Sequence, residues 1–189
     1  MWFGLFGNEL LNLQTYPVNP GKRLYTLISS NNLMAKRERL RYKQVKMILS
    51  HLSRPFKVDK RQVFEIIDYQ DYRILMIDGQ PMFLLYGEHV IPVLRLILDE
   101  GYTLPQVVVD SGAVPFITKG ADLMRPGIVR MDEFGREEPV VIREERYGKP
   151  LAIGISLFSS DEISSMSSGK VVKNIHHVGD KIWSGDLDG

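Results

Sequence analysis

The chain has 189 residues, 44% apolar and 25% charged, with 24 Lys and Arg against 23 Asp and Glu and a formal net charge of +1. That length suits one large or two small domains around a real core, and with no run of about 18 apolar residues no helical membrane span is expected. Cysteine is absent, which excludes disulfides and thiol chemistry.

The first residues, MWFGLFGNELLNLQ, are apolar but carry no basic n-region, so they make a poor signal peptide and a cytoplasmic location is the default. Residues 1–33 mix aromatics with Pro17, Pro20-Gly21 and Ser29-Ser30-Asn31-Asn32 and hold no period. Met34-Ala35-Lys36 reads as an alternative translation start, which would make residues 1–33 an extension. Otherwise their apolar residues pack on the first domain. From Met34 to Arg61 ten basic residues face only Glu38 and Asp59, a local charge of +8 that leaves −7 elsewhere. Charge segregated in this way steers partners through the local potential.

A helix is expected over Leu33–Ser53. Tyr42, Val45, Ile48, Leu49 and Leu52 make its apolar stripe, and Pro55 ends it. Lys36, Arg39, Lys43 and Lys46 form a second stripe at helical spacing. With no interleaved acids, that stripe suits phosphates as well as it suits solvent. Val63–Tyr69 and Tyr72–Ile77 pattern as strands, Asp78-Gly79 as a hairpin turn, and Pro81–Tyr86 as the returning strand. Val90–Glu100 is expected as a helix with Pro92 in its first turn and Gly101 as its stop. Thr103-Leu104-Pro105 marks the expected domain boundary.

Beyond it, Gln106–Asp110 reads as a buried strand and Gly112–Thr118 as a short helix. Gly120 and Pro126-Gly127 punctuate the next segment. Val140–Glu144 and Leu151–Phe158 read as strands about a Tyr147-Gly148-Lys149 turn. Ser159 and Glu162 have capping-box spacing for a helix over Ser160–Ser168, stopped by Gly169. Val171–Ile175 and Lys181–Trp183 are expected to close the domain as strands, with Trp183 in the core. Short strands and frequent turns suggest a small, partly open barrel.

The segments VVVDSGAVPFITKGADLMRPGIV, KPLAIGISLFSSDEI and GKVVKNIHHVGDKIW resemble a PUA domain over Gln106–Trp183. The preceding ILMIDGQPMFLLY and VIPVLRLILDEGYTLPQVVVD extend the resemblance upstream. Together they are similar to the malignant-T-cell-amplified-sequence translation factors and their archaeal relatives, from about Lys36 to Trp183. Residues 1–33 have no counterpart, and the likeness weakens at the basic helix. The resemblance implies a non-enzymatic RNA-binding protein that sets a PUA domain near the tRNA acceptor end on the small ribosomal subunit. It also implies a protein partner with an initiation-factor-like domain.

The residues agree with that role. Gly120 and Gly127 let backbone approach a phosphate or sugar closely, and exposed N–H groups in such turns attract anions. Lys119 and Arg125 can meet phosphates, and Met124 can pack on an unstacked base. Ala121 and Pro126 complete the candidate RNA-binding set. Leu123 and Ile128 are expected in the core.

Catalytic readings find little support. Val107–Gly112 begins like a cofactor-binding turn but lacks the further glycines and the βαβ array, and Asp110 suits a turn or cap. Gly154-Ile155-Ser156 lacks the second Gly of a nucleophile elbow, because Phe158 stands there. His176 and His177 point to opposite sides of a strand, and no metal-ligand spacing is present. Glu137-Glu138 and Glu144-Glu145 read as solvated charge. No catalytic residue, cofactor or metal is assigned.

The sequence therefore predicts an α+β protein: an N-terminal domain over 1–102 with an antiparallel meander, a PUA pseudo-barrel over 106–184, and a tail over 185–189. It would bind the tRNA acceptor end or small-subunit rRNA without chemistry. An accessory factor that targets RNA modification or ribosome assembly, and a protein-interaction module, are the alternatives.

Overall fold

The computed structural model describes residues 37–187. The expectations for residues 1–33 and for Lys36 lie outside these. The first half runs β1 (Arg37–Arg39), α1 (Tyr42–Leu49), β2 (Phe64–Tyr69), β3 (Tyr72–Ile77), β4 (Gln80–Tyr86), β5 (His89–Pro92) and α2 (Leu94–Asp99). Its five strands form an antiparallel sheet in chain order, β1-β2-β3-β4-β5. Asp78 and Gly79 both take positive φ, 51° and 77°, as a two-residue hairpin turn requires. Asp78 fixes that turn by accepting the Val63 N–H at 2.9 Å.

Two expected helices are shorter than their patterns suggest. Arg39 is not helical: Arg37, Glu38 and Arg39 pair with Ile67, Ile66 and Glu65, so sheet pairing wins over helix propensity there. The helix begins only where the apolar stripe does, with Val45, Ile48 and Leu49 buried. The second expected helix loses Val90, Ile91 and Pro92 to β5, which returns from a turn at Gly87, φ 58°. Pro92 sits at the end of that edge strand, where its missing N–H is harmless.

The second half runs β6 (Gln106–Val109), α3 (Val114–Ile117), β7 (Leu123–Met124), a 3-10 turn at Arg125–Gly127, β8 (Ile128–Met131), β9 (Pro139–Glu144), β10 (Pro150–Ser156), α4 (Ser160–Ser165), β11 (Lys170–His177) and α5 (Lys181–Ser184). Six strands order as β7-β11-β10-β9-β6-β8, with β6 parallel to β9 and every other pair antiparallel. The class is α+β with a curled half-barrel, as expected. The Ser159 capping box is present, with Glu162 N–H donating to the Ser159 hydroxyl at 3.3 Å and Ser159 N–H to the Glu162 carboxylate at 2.8 Å. Gly154 stands at a bulge in β10, where a Cβ would come within 2.8 Å of the Lys173 carbonyl oxygen.

Lys181–Trp183 is helical rather than a strand. Asp180 caps it by accepting the Trp183 N–H at 2.7 Å, and Gly185 ends it at φ 77°. Trp183 is half-buried, its indole 5.2 Å beneath the Arg95 guanidinium.

A continuous core joins the two sheets. Val141, Ile153, Ile155, Ile175 and Ile182 pack in one cluster with Ile74, Phe83, Leu94 and the rest of the first sheet's buried face. The buried Tyr72 hydroxyl donates to the Ile175 carbonyl at 2.6 Å, and Arg95 Nε donates to the Trp183 carbonyl at 3.2 Å. Asp71 and Lys173 form an ion pair between the sheets. Burial pushes the Tyr72 hydroxyl well above the usual phenol range, so it stays a donor. Tyr72→Phe leaves that buried carbonyl without this donor and should cost about 1–3 kcal/mol in urea unfolding. A change within error would show that water replaces the bond.

Candidate nucleic-acid interface

The segment Asp110–Gly127 is a turn–helix–turn hung between β6 and β8. Asp110 opens it by accepting the Ala113 N–H at 2.9 Å, the turn-forming role expected of it. Its own N–H reaches the Gly127 carbonyl at 3.1 Å, which closes the segment at its base. Ile117 is 1% exposed and anchors α3, whereas Phe116 beside it is 66% exposed. Gly120 follows at φ 86°, and a Cβ there would lie 3.0 Å from His177 Nε2, so conformation and space both require glycine. At Gly127 the limit is space: a Cβ would meet the Ala113 Cβ at 3.1 Å.

β11 holds this turn in place. The Asn174 carboxamide donates to the carbonyls of Ile117 at 3.0 Å and Ala121 at 3.1 Å, and its backbone N–H donates to Asp122 at 2.9 Å. Lys170 pairs with the other Asp122 oxygen at 2.9 Å. Burial works to raise the Asp122 carboxyl, but the Lys170 ammonium and the Asn174 N–H prevail and hold it below its ordinary value. Asp122 is therefore a structural tie.

Of the residues singled out in sequence, Lys119, Gly120, Ala121, Met124 and Pro126 are exposed, and Gly127 is half-buried. Leu123 is buried, and Ile128 packs against the same cluster, as expected of both. Arg125, expected to meet a phosphate, is half-buried and partly engaged by the fold. Its Nε donates to the Ile163 carbonyl at 2.7 Å and its backbone N–H to the Gly169 carbonyl at 2.8 Å, so it ties the turn to α4. Charge reversal at Arg125 would disturb the fold as well as any ligand. Sequence reasoning passed over Phe116, whose exposure becomes visible only once α3 is seen to bury Ile117 instead. It also passed over β8, where Val129 is 53% exposed.

The described cations of the expected stripe divide between two elements. Lys43 and Lys46 are exposed on α1, while Arg39 lies on β1. Arg39, Arg41, Lys43 and Lys60 line an open concavity with Glu38, Tyr42 and Gln44. Lys46 and Lys60 each stand 5.9 Å from the Tyr42 ring centre.

Several of the other polar groups singled out in sequence serve the fold. Ser156 is buried, donating to the Gly135 carbonyl at 2.7 Å and accepting the Glu138 N–H at 3.0 Å, so its hydroxyl is no exposed nucleophile. Two of the acids expected as solvated charge also clamp loops: Glu138 accepts the Gly135 N–H at 3.0 Å, and Glu144 accepts N–H groups of Arg146 at 2.7 Å and Tyr147 at 2.6 Å. His176 is buried against Asp180 at 2.8 Å, while His177 turns to Gly120. Among the described residues no group of three His, Asp or Glu could hold a metal ion, and no helix is long and apolar enough to cross a membrane.

Residues 105–178 match the PUA domain family, and residues 36–100 match a domain of unknown function, DUF1947. An uncharacterized protein of Methanocaldococcus jannaschii is 39% identical over 155 residues, covering 79% of this chain and 96% of that one. Translation machinery-associated protein 20 of Saccharomyces cerevisiae is 30% identical over 135 residues, 67% of this chain and 75% of its own. The crystal structure of a hypothetical protein from Pyrococcus horikoshii superposes with a TM-score of 0.62 at 36% identity, covering 79% of this chain and 98% of that one. The chain belongs to the family of translation machinery-associated protein 20 and the malignant T-cell-amplified sequence proteins. The PUA match takes in the whole six-stranded sheet with the Asp110–Gly127 segment, and the DUF1947 match takes in the five-stranded sheet with α1 and α2.

Two outcomes test this architecture of the PUA turn. Gly120→Ala should lower stability by about 1 kcal/mol or more, because Ala resists positive φ; an unchanged melting temperature would show that the turn relaxes freely. Asp122→Asn should be less stable than wild type above the ordinary Asp pKa of 3.8, where the depressed carboxyl contributes fully. That gap should close as pH falls through the folded-state pKa, measured by urea unfolding across a pH series.

Proposed function

We propose that this chain is a non-catalytic RNA-binding protein of the translation machinery, recognising the single-stranded acceptor end of tRNA or small-subunit rRNA. The observation that carries this reading is the exposed face Phe116, Lys119, Gly120, Ala121 and Met124 on a turn held rigid from behind by Asn174 and Asp122. Such a face offers a ring and a thioether to unstacked bases, a cation to a phosphate, and an open backbone at Gly120. Because the turn is pre-ordered, binding loses little conformational entropy. Lys43, Lys46 and Arg39 of the DUF1947 segment supply the salt-sensitive, sequence-independent share of affinity. The name of the relative translation machinery-associated protein 20 supports a setting in translation; the small ribosomal subunit and an initiation-factor-like partner are the finer part of the proposal, implied by the resemblance alone. Every buried polar side chain described above serves the fold, and this favours positioning over chemistry.

The test is fluorescence anisotropy of a labelled tRNA, with its 3′ single strand intact or removed, and of labelled small-subunit rRNA, each at two salt concentrations. Phe116→Ala and Lys119→Gln should each weaken binding by about 1 kcal/mol or more, with the Phe116 loss confined to RNAs with an unpaired end. Lys43→Gln with Lys46→Gln should weaken all RNAs evenly and reduce the salt slope by about 1 for each phosphate no longer neutralised. Equal binding of intact and trimmed tRNA would remove acceptor-end recognition. An unchanged slope would make α1 a solvated face.

A further inference from the structure

Neither α3 nor the turn after it accounts for the tip of the β9–β10 hairpin. Tyr147 stands there 68% exposed, the highest among the large apolar side chains of the described residues. The Arg146 guanidinium lies 5.0 Å from its ring centre and the Lys149 ammonium 5.9 Å. An exposed ring of this kind would ordinarily sit on a mobile tip, but this tip is tied down. Glu144 accepts the N–H groups of Arg146 at 2.7 Å, Tyr147 at 2.6 Å and Lys149 at 3.4 Å. Arg143 donates to the Gly148 carbonyl at 2.8 Å, and Gly148 turns the chain at φ 66°. The strand ends thus present, on an ordered backbone, one exposed aromatic ring with two cations within about 6 Å of its centre.

The hairpin also stands beside the base of the segment that carries α3. Glu145 N–H donates to the Val109 carbonyl at 3.0 Å, and the parallel register sets Val109 opposite Glu144. Asp110, the next residue, opens the turn into α3 and holds Gly127. The hairpin tip, the start of α3 and the Gly127 turn therefore share one end of the six-stranded sheet.

We propose that Tyr147, bracketed by Arg146 and Lys149, is a second stacking position that takes an unpaired nucleotide of the RNA lying over α3. This rests on the RNA-binding reading and adds a direction to the strand, from Phe116 across the Asp110–Gly112 turn to the hairpin. A nucleotide supplies both a π face for the ring and a phosphate for the flanking cations. An apolar peptide would desolvate both cations without supplying an opposite charge.

The test uses the full chain with labelled tRNA and labelled small-subunit rRNA. With the RNA that wild type binds more tightly, Tyr147→Ala should weaken binding about fivefold to tenfold and Tyr147→Phe by less than about twofold, because stacking needs the ring and not the hydroxyl. Arg146→Gln with Lys149→Gln should reduce the salt slope. The melting temperature of all three variants should match wild type, since these side chains lie outside the core. If Tyr147→Ala binds like wild type while Phe116→Ala and Lys119→Gln are weakened, the second position is overturned and the RNA reading stands. If wild type binds neither RNA, both are overturned.

Discussion

The Asn174 side chain donates to two carbonyls, those of Ile117 and Ala121, on either side of the Gly120 turn. The carbonyl of the next residue, Ile175, accepts the Tyr72 hydroxyl from the other sheet. Two neighbouring residues of β11 thus fix the exposed turn and the junction of the sheets. Lys170 and Lys173 on the same strand reach Asp122 in the turn and Asp71 in the first sheet. His177 at its end fills the space that glycine leaves at position 120. A displacement of β11 could not be confined to one half of the molecule.

This arrangement explains why the turn can be exposed without being loose. Surface loops are usually the mobile parts of a fold. Here the polar groups of the turn are satisfied from behind, by Asn174, Asp122 and the Gly127 carbonyl, so its outer side can carry Phe116 and Met124 in water. The cost of that apolar exposure is modest when set against the shared core. On the proposed reading, an unpaired base would cover the ring.

Much of the fold was legible because its signals are local. Runs rich in Ile, Val and Tyr marked β2 and β3, Asp78-Gly79 marked their neighbouring turn, and the Ser159–Glu162 box marked α4. The errors came where a distant strand decided the matter. Arg37–Arg39 has helical neighbours in sequence but sheet neighbours in space, and Val90–Pro92 pairs with β4. At α5 the cap was missed because Asp180 accepts from Trp183 only once β11 has ended. In the candidate site the glycines were readable as backbone requirements. The division of Phe116 from Ile117, and of Arg125 from Lys119, was not, since the choice between facing solvent and holding a carbonyl depends on α4 and β11.

Charge and shape are divided between the two sheets in a way that bears on recognition. The cations of Arg39, Arg41, Lys43 and Lys60 gather on the first sheet's side, while the ordered turn belongs to the second. Long-range attraction is indifferent to sequence and weakens with salt; close stacking is selective for unpaired bases. Were the halves joined by a free linker, the two effects would act on unrelated parts of an RNA. The common core and the bonds at Tyr72, Lys173 and Arg95 hold them at a fixed offset. On the proposed RNA-binding reading, an RNA that satisfies both would have to present its phosphates and its unpaired end at that same offset, and selectivity would come from the distance between the two surfaces.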